Sequence, residues 1–375
     1  MLYAYWNNWG DDFTNHLLPN KKWKAILVGG HPFKSPAVYF ISRMIFALAK
    51  LKVMFGPVLF YSELAIARAS FFLIREAKKH KADIYIGHNL GALAATIKVA
   101  KKYHAKCGFD IEDYHRNETD NSTSSPKYKL TKYLENKYLV KADYVTASSP
   151  KITEAYAELY PAKHPVTLLN VFPKSPVNIT RTANLTGPVK IIWFSQTIGT
   201  NRGIEDVLIA LKILDNNNLH LHLLGNADDA VKTEFAQLAG PAANNLYFHE
   251  PMPPDEIVGF ITQFDIGLAS EPGFSINNEL ALSNKIFTYM QAGLAIIASD
   301  TQAQQSFIQA NPDIGTVYPK KDSGKLAEIL THYNLNRDEL FKACVASLNC
   351  GLEKYNWENE SVKFLNLINQ TLKVE

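Results

Sequence analysis

Residues Glu279–Asp300, ELALSNKIFTYMQAGLAIIASD, read in immediate succession as a polar loop, a short helix and a buried strand. Ser283 is a good N-cap, so a helix is predicted to start there. Ile286, Phe287 and Met290 then share one helical face, and Gly293 stands where a left-handed C-terminal cap is wanted. The run Leu294–Ala298 is apolar throughout and ends in Ser299-Asp300, which suits a parallel strand covered on both faces. A loop feeding a helix N-terminus beside such strands is a natural anion site. The same pattern also serves as one plain αβ unit of a doubly wound sheet, so the rest of the chain must decide.

The chain has 375 residues, too many for one ordinary core, and two domains are expected. An apolar fraction of 47% and a charged fraction of 20% exclude a disordered or fibrous chain. Cys107, Cys344 and Cys350 are odd in number and lack zinc or redox spacing, so inert thiols in a reduced, cytoplasmic setting are expected. No leader pattern opens the sequence and no apolar run reaches spanning length, which reads as a soluble or peripheral protein. The net charge of +3 divides into +10 over residues 1–172 and −7 over the remainder, so the two halves face different surroundings.

Residues 1–20 show no clear period and are read only as a lead-in. From Trp23 the chain alternates strands and helices: Trp23–Gly30, a helix from Pro36 to Lys50, strand Asp83–Gly87, helix Ala92–Lys102, strand Lys106–Phe109, helix Lys127–Lys141 and a strand at Tyr144. Residues 174–188 carry two prolines and read as a linker. A second series follows: Val189–Phe194, Ile204–Leu214, Leu219–Leu224, Leu246–His249, Pro254–Phe264, Asp265–Ala269 and the opening stretch. This predicts two tandem α/β domains of doubly wound, Rossmann-like type, 1–173 and 189–354, with a cleft between them. Helix 355–375 is expected to complete the first domain.

The loop Ser195–Gly203 follows a strand and opens a helix, and its glycines, amides and the Arg202 guanidinium can together hold a diphosphate. It lacks the Walker lysine and the dinucleotide glycine fingerprint, so neither reading is supported. A plain βα turn remains open on these residues alone.

The order of Gln196–Gly203, Leu224-Gly225, Asp265–Ala269 and Ser283–Asp300 resembles the donor half of family 4 glycosyltransferases of the GT-B fold. The strand ending in His88 and the run Phe109–Arg116 resemble bacterial members that make cell-surface glycans. The resemblance covers nearly the whole chain from Trp23. It implies a retaining transfer of a sugar from a UDP- or GDP-linked donor to a lipid-linked or saccharide acceptor, with no required metal or cofactor.

The resemblance places Gln196, Thr197, Gly199, Arg202 and Gly225 at the diphosphate, and Glu279, Asn284, Lys285 and Thr288 at the sugar phosphate and ribose. The family's arginine and lysine positions hold Gln196 and Arg202 here, and its second glutamate is Thr288, so one cation and one carboxylate are missing. His88 matches the histidine that contacts the transferred sugar, with Glu112 and Arg202 as further catalytic candidates. Asp113, His115 and Arg116 are expected on the acceptor side, and Gly30 lets the chain approach the donor or only makes a turn. Asp110-Ile111-Glu112 has the look of a metal-binding acidic pair, but no second ligand group is spaced for it, and none is expected to bind metal.

The basic helices near Arg43 and over Lys127–Lys141 suit an anionic membrane surface on its cytoplasmic face, or are solvated lysines on packed helices. Nucleic acid is disfavoured by the near-neutral whole and the lack of a recognition motif. Two rivals stand beside the transferase: a nucleotide-sugar-binding scaffold without turnover, motivated by the missing carboxylate, and a nucleotide-sugar epimerase on the same fold.

Overall fold

The computed structural model describes residues 1–5, 21–55, 62–175 and 179–373. Most of the lead-in 1–20 and part of segment 174–188 therefore lie outside the described residues. The chain divides into two compact units: Met1–Leu168 with Leu365–Glu375, and Leu169–Phe364. The described part of segment 174–188, read above as a linker, groups with the second unit. Arg181 anchors it by donating to the carbonyls of Thr262 and Phe264, the latter at 2.9 Å. Only the part of the final helix Trp357–Leu372 from Leu365 onward groups with the first unit.

In the first unit, β1 (Leu2–Ala4) pairs in parallel with β2 (Ile26–Val28). Sequence reading missed β1 because its three residues carry no period. A second parallel sheet holds β3 (Ile84–His88), β4 (Lys106–Ile111), β5 (Tyr144–Ala147) and β6 (Val166–Thr167) in chain order. Helix Leu90–Tyr103 packs on β3 and β4, with Thr96 set against Gly87 of β3.

The second unit is a six-stranded parallel sheet, ordered β12-β11-β10-β7-β8-β9. Its strands are β7 (Val189–Thr197), β8 (Leu219–Asn226), β9 (Leu246–His249), β10 (Ile266–Ala269), β11 (Ala295–Ser299) and β12 (Gly315–Tyr318). The side-chain period of two splits β7 between two cores: Ile191 and Trp193 pack under helices Ile204–Leu214 and Ser323–Leu335, while Ile192 packs on the other face. Helices on both faces make this sheet doubly wound.

Helix Asn284–Ala292 lies in the second of these cores, and every side chain from Ile286 to Ala292 is buried. Tyr289 crosses β10 and donates to the Leu268 carbonyl at 2.9 Å. Gly293 caps the helix in the left-handed conformation, φ 69°, as the sequence predicts. Ser283 precedes the helix, yet its hydroxyl makes no cap bond and donates instead to Glu271.

Candidate functional site

In the second unit, strand order reverses between β7 and β10, and all six strands end on one edge. Such a switch point leaves a crevice outside the strand C-termini where parallel α/β sheets bind ligands. Three groups gather there. Arg202, exposed in the loop after β7, donates to Ser195 Oγ at 2.8 Å, and its carbonyl accepts from Ser270 Oγ at 3.4 Å. The second contact ties the loop to the end of β10. Glu271 and Lys285 form the other two, an ion pair at 3.0 Å with each side chain about one-fifth exposed.

Glu271 stands two residues past the end of β10 and is fixed at both ends. Its amide donates to Ser299 Oγ at 2.8 Å, and its carboxylate accepts from Ser283 Oγ at 3.0 Å and Asn278 Nδ2 at 3.3 Å. Burial pushes its pKa up, but the Lys285 ammonium and these donors outweigh it and hold the group below the ordinary value. Lys285 also lies over the Trp193 ring, 5.3 Å from its centroid, which joins β7 to the helix that carries the lysine.

The other donor-side residues fall into distinct settings. Gln196 and Thr197 extend β7 beyond the expected strand end and are exposed at the same edge, and Gly199 is open, since an added Cβ would meet nothing within 4 Å. Gly225 ends β8 so close to β7 that a Cβ would lie 2.1 Å from the Ser195 carbonyl oxygen. Asn284 is exposed at the helix start. Glu279 binds Lys320 at 3.0 Å and the Gln302 amide at 3.1 Å. Thr288 is buried and donates to the Asn284 carbonyl of its own helix at 3.4 Å, so its hydroxyl is turned inward.

In the first unit, the register of β3 against β4 sets His88 opposite Asp110. His88 Nδ1–H donates to Asp110 Oδ2 at 3.1 Å, and Thr146 Oγ1 donates to Asp110 Oδ1 at 2.7 Å. The bond to Asp110 raises the His88 pKa against the opposing effect of burial, with Glu112 at 3.9 Å adding to the pull. Burial and the neighbouring Asp110 raise Glu112. Asn89, next to His88, has φ 64°, a strained value for a residue with a side chain and one that clusters at functional sites. The ligating atoms of His88, Asp110 and Glu112 lie within 4.8 Å of one another. This corrects the expectation that the acidic pair has no second ligand group: the histidine comes from the neighbouring strand, a relation that linear spacing hides.

Two acceptor-side expectations are overturned. His115 and Arg116 turn into the interior of the first unit. Arg116 Nε donates to Glu135 at 2.7 Å and its Nη2 to Tyr160 Oη at 2.6 Å, while Tyr156 Oη donates to the other Glu135 oxygen at 2.5 Å. Burial lowers the His115 pKa to about 4, so the ring stays neutral. A buried guanidinium must be paired, and Glu135 supplies the charge, making this a core network. Asp113 stays half-buried. Gly30 is a packing glycine: its φ is 74°, and a Cβ would lie 2.4 Å from the Tyr39 amide nitrogen. Sequence reasoning weighed Asp110 only as half of an acidic pair and did not single out Glu271, although it stands just past the C-terminus of β10, which is the signal that finds it.

Residues 188–333 match the family described as Glycosyl transferases group 1. A search of curated protein sequences finds no match. Solved structures of similar fold include TarM of S. aureus, 15% identical with a TM-score of 0.63 over 80% of this chain. The chain spans 58% of TarM. HepE of Anabaena in complex with UDP-glucose is 14% identical with a TM-score of 0.62, covering 81% of this chain and 82% of that one. A glycosyltransferase from Rickettsia africae is 16% identical with a TM-score of 0.65, covering 96% and 88%. These likenesses establish the fold as GT-B, of α/β class with parallel sheets.

Proposed function

We propose that the chain is a glycosyltransferase that moves a sugar from a nucleotide diphosphate sugar to a saccharide or lipid-linked acceptor, with retention of configuration and without a required metal, in the synthesis of surface glycans. The observation that carries this reading is the switch-point edge of the second unit, where Arg202, Glu271 and Lys285 gather within the residues that match the family. The titles of solved relatives that hold UDP or UDP-glucose support the choice of donor.

Breaking a glycosidic bond to a diphosphate requires fixed positive charge where the leaving oxygens develop theirs. Arg202 supplies the exposed guanidinium, and the amides of the loop and of helix Ile204–Leu214 add oriented dipoles. Gln196, Thr197 and Gly199 line the approach and Asn284 flanks it. Lys285 directs its charge to Glu271, which keeps that carboxylate ionised and able to accept a hydroxyl hydrogen from the nucleotide sugar. Glu271 thereby takes up the carboxylate role that Thr288, turned into its own helix, does not offer. His88, oriented by Asp110, contacts the transferred sugar as a hydrogen-bond donor that stays protonated to higher pH than a free imidazole.

A thermal-shift panel of nucleoside diphosphates and their sugars, followed by donor hydrolysis on the tightest binder, tests the proposal. Stabilisation with slow release of free sugar supports it. Stabilisation by no nucleotide overturns it, an isomerised donor points to an epimerase, and binding without turnover points to a scaffold.

A further inference from the structure

Helix Pro36–Phe55 of the first unit is amphipathic in the wrong sense for a helix facing water. It buries only Ser42 and Ala49, on the side that packs against segment 62–64 and helices Ser70–Ala77 and Pro126–Tyr138. At about 100° per residue, Phe40, Ile41, Met44, Leu48, Leu51 and Phe55 project from the opposite side. They are open: Phe40 is 68% exposed, Leu48 56% and Phe55 80%, and Phe33 in the preceding loop is 83% exposed. A continuous apolar face of this kind marks an interaction surface, since scattered apolar side chains on a monomer do not line up along one helix side.

Charge selects the occupant. The helix carries Arg43, Lys50 and Lys52 and no acidic residue, and no Asp or Glu occurs between Asp12 and Glu63. Arg43 and Lys50 fall on one flank of the apolar face and Lys52 on the other, the arrangement of a helix that lies in the headgroup region of an anionic bilayer. A second copy of the helix would set like charges against one another with no carboxylate to offset them. The helix does not cross a membrane, because no described helix is long and apolar enough. The neighbouring helix Pro126–Tyr138 differs: Leu130, Leu134 and Tyr138 are buried, so its lysines are solvated charges on a packed helix.

We infer that helix Pro36–Phe55 docks the protein on anionic lipid, with Phe40, Met44, Leu48 and Leu51 entering the interface and Arg43 and Lys50 meeting headgroups. The inference stands apart from sugar transfer, because lipid binding is measured without nucleotide.

The test is co-sedimentation of the full chain with vesicles of phosphatidylcholine, alone or with about one-third phosphatidylglycerol. The wild type is expected to sediment with the anionic vesicles and to be released by raised salt. Met44→Glu with Leu48→Glu is expected to weaken binding roughly tenfold or more. Arg43→Glu with Lys50→Glu is expected to do so at low salt. Unchanged circular dichroism and melting show that these exposed substitutions leave the fold intact. The inference is overturned if the wild type stays in the supernatant, or if folded variants bind as tightly as wild type. A lipid-free dimer that Leu48→Glu dissolves would also overturn it, in favour of a second copy.

Discussion

Replacing Lys285 by Met probes the electrostatics of the switch-point edge. At 3.0 Å and an effective dielectric of about 20, the gross attraction to Glu271 is about 5.5 kcal/mol. Desolvation of both groups offsets much of this, and with side chains 17% and 20% exposed the pair is closer to a buried bridge than to a surface one. The variant leaves Glu271 with only the neutral donors Ser283 and Asn278, so a loss of about 2–4 kcal/mol is expected at pH 7. The pH dependence carries the sharper test. In the wild type the Glu271 pKa is depressed, so its stabilising contribution is present above the ordinary value of 4.5 and is lost as pH falls through the folded-state value. Without Lys285, burial is the largest remaining influence and raises the pKa, so the carboxylate takes up a proton on mild acidification. The difference between variant and wild type therefore shrinks as pH falls from neutrality towards the unfolded value, by at most about 1.4 kcal/mol per pH unit. Urea unfolding of both proteins across this range measures it. A loss below about 0.5 kcal/mol, or one that does not change with pH, would refute the reasoning.

Arg116→Met leaves buried Glu135 without its cation and is expected to cost about 3–5 kcal/mol in thermal or urea unfolding, where a surface arginine would cost almost nothing. His88→Ala is expected to leave melting nearly unchanged, because the side chain is 62% exposed, while lowering sugar transfer by roughly a hundredfold in a donor-turnover assay. The His88 pKa followed by NMR is expected above the ordinary 6.5 and to fall in Asp110→Asn; any stability this pair contributes is present below 6.5 and lost as pH rises through the folded value. Turnover is expected to survive chelation of divalent ions, and loss on chelation with recovery on adding metal would instead make His88, Asp110 and Glu112 ligands.

Local patterning made much of the second unit legible. Helix Ile204–Leu214 and strand Leu246–His249 lie where the sequence places them, because apolar period and flanking turn residues agree. Strand β1 was missed because it has only three residues, and β12 because its four residues, Gly315–Tyr318, open on a glycine and carry no apolar run. The candidate site was legible where it rests on loop chemistry, since Arg202 does lie in the loop after β7, and illegible where it depends on register. His88 meets Asp110 only because β3 pairs with β4 in one alignment, and Glu271 meets Lys285 only because helix Asn284–Ala292 brings its first turn back to the end of β10. His115 and Arg116 misled for the opposite reason: polar residues after a strand read as surface, and only the tertiary structure shows Glu135, Tyr156 and Tyr160 waiting inside.

Calorimetric titration of UDP into wild type and Arg202→Ala bears most directly on the proposed activity. The wild type is expected to bind, and the variant to bind about 1.5–3 kcal/mol more weakly, roughly a 10- to 150-fold loss, as befits one charge-assisted contact to a diphosphate. Equal affinity in the two proteins, or no binding of UDP or GDP to the wild type, would contradict a nucleotide-sugar site at this edge.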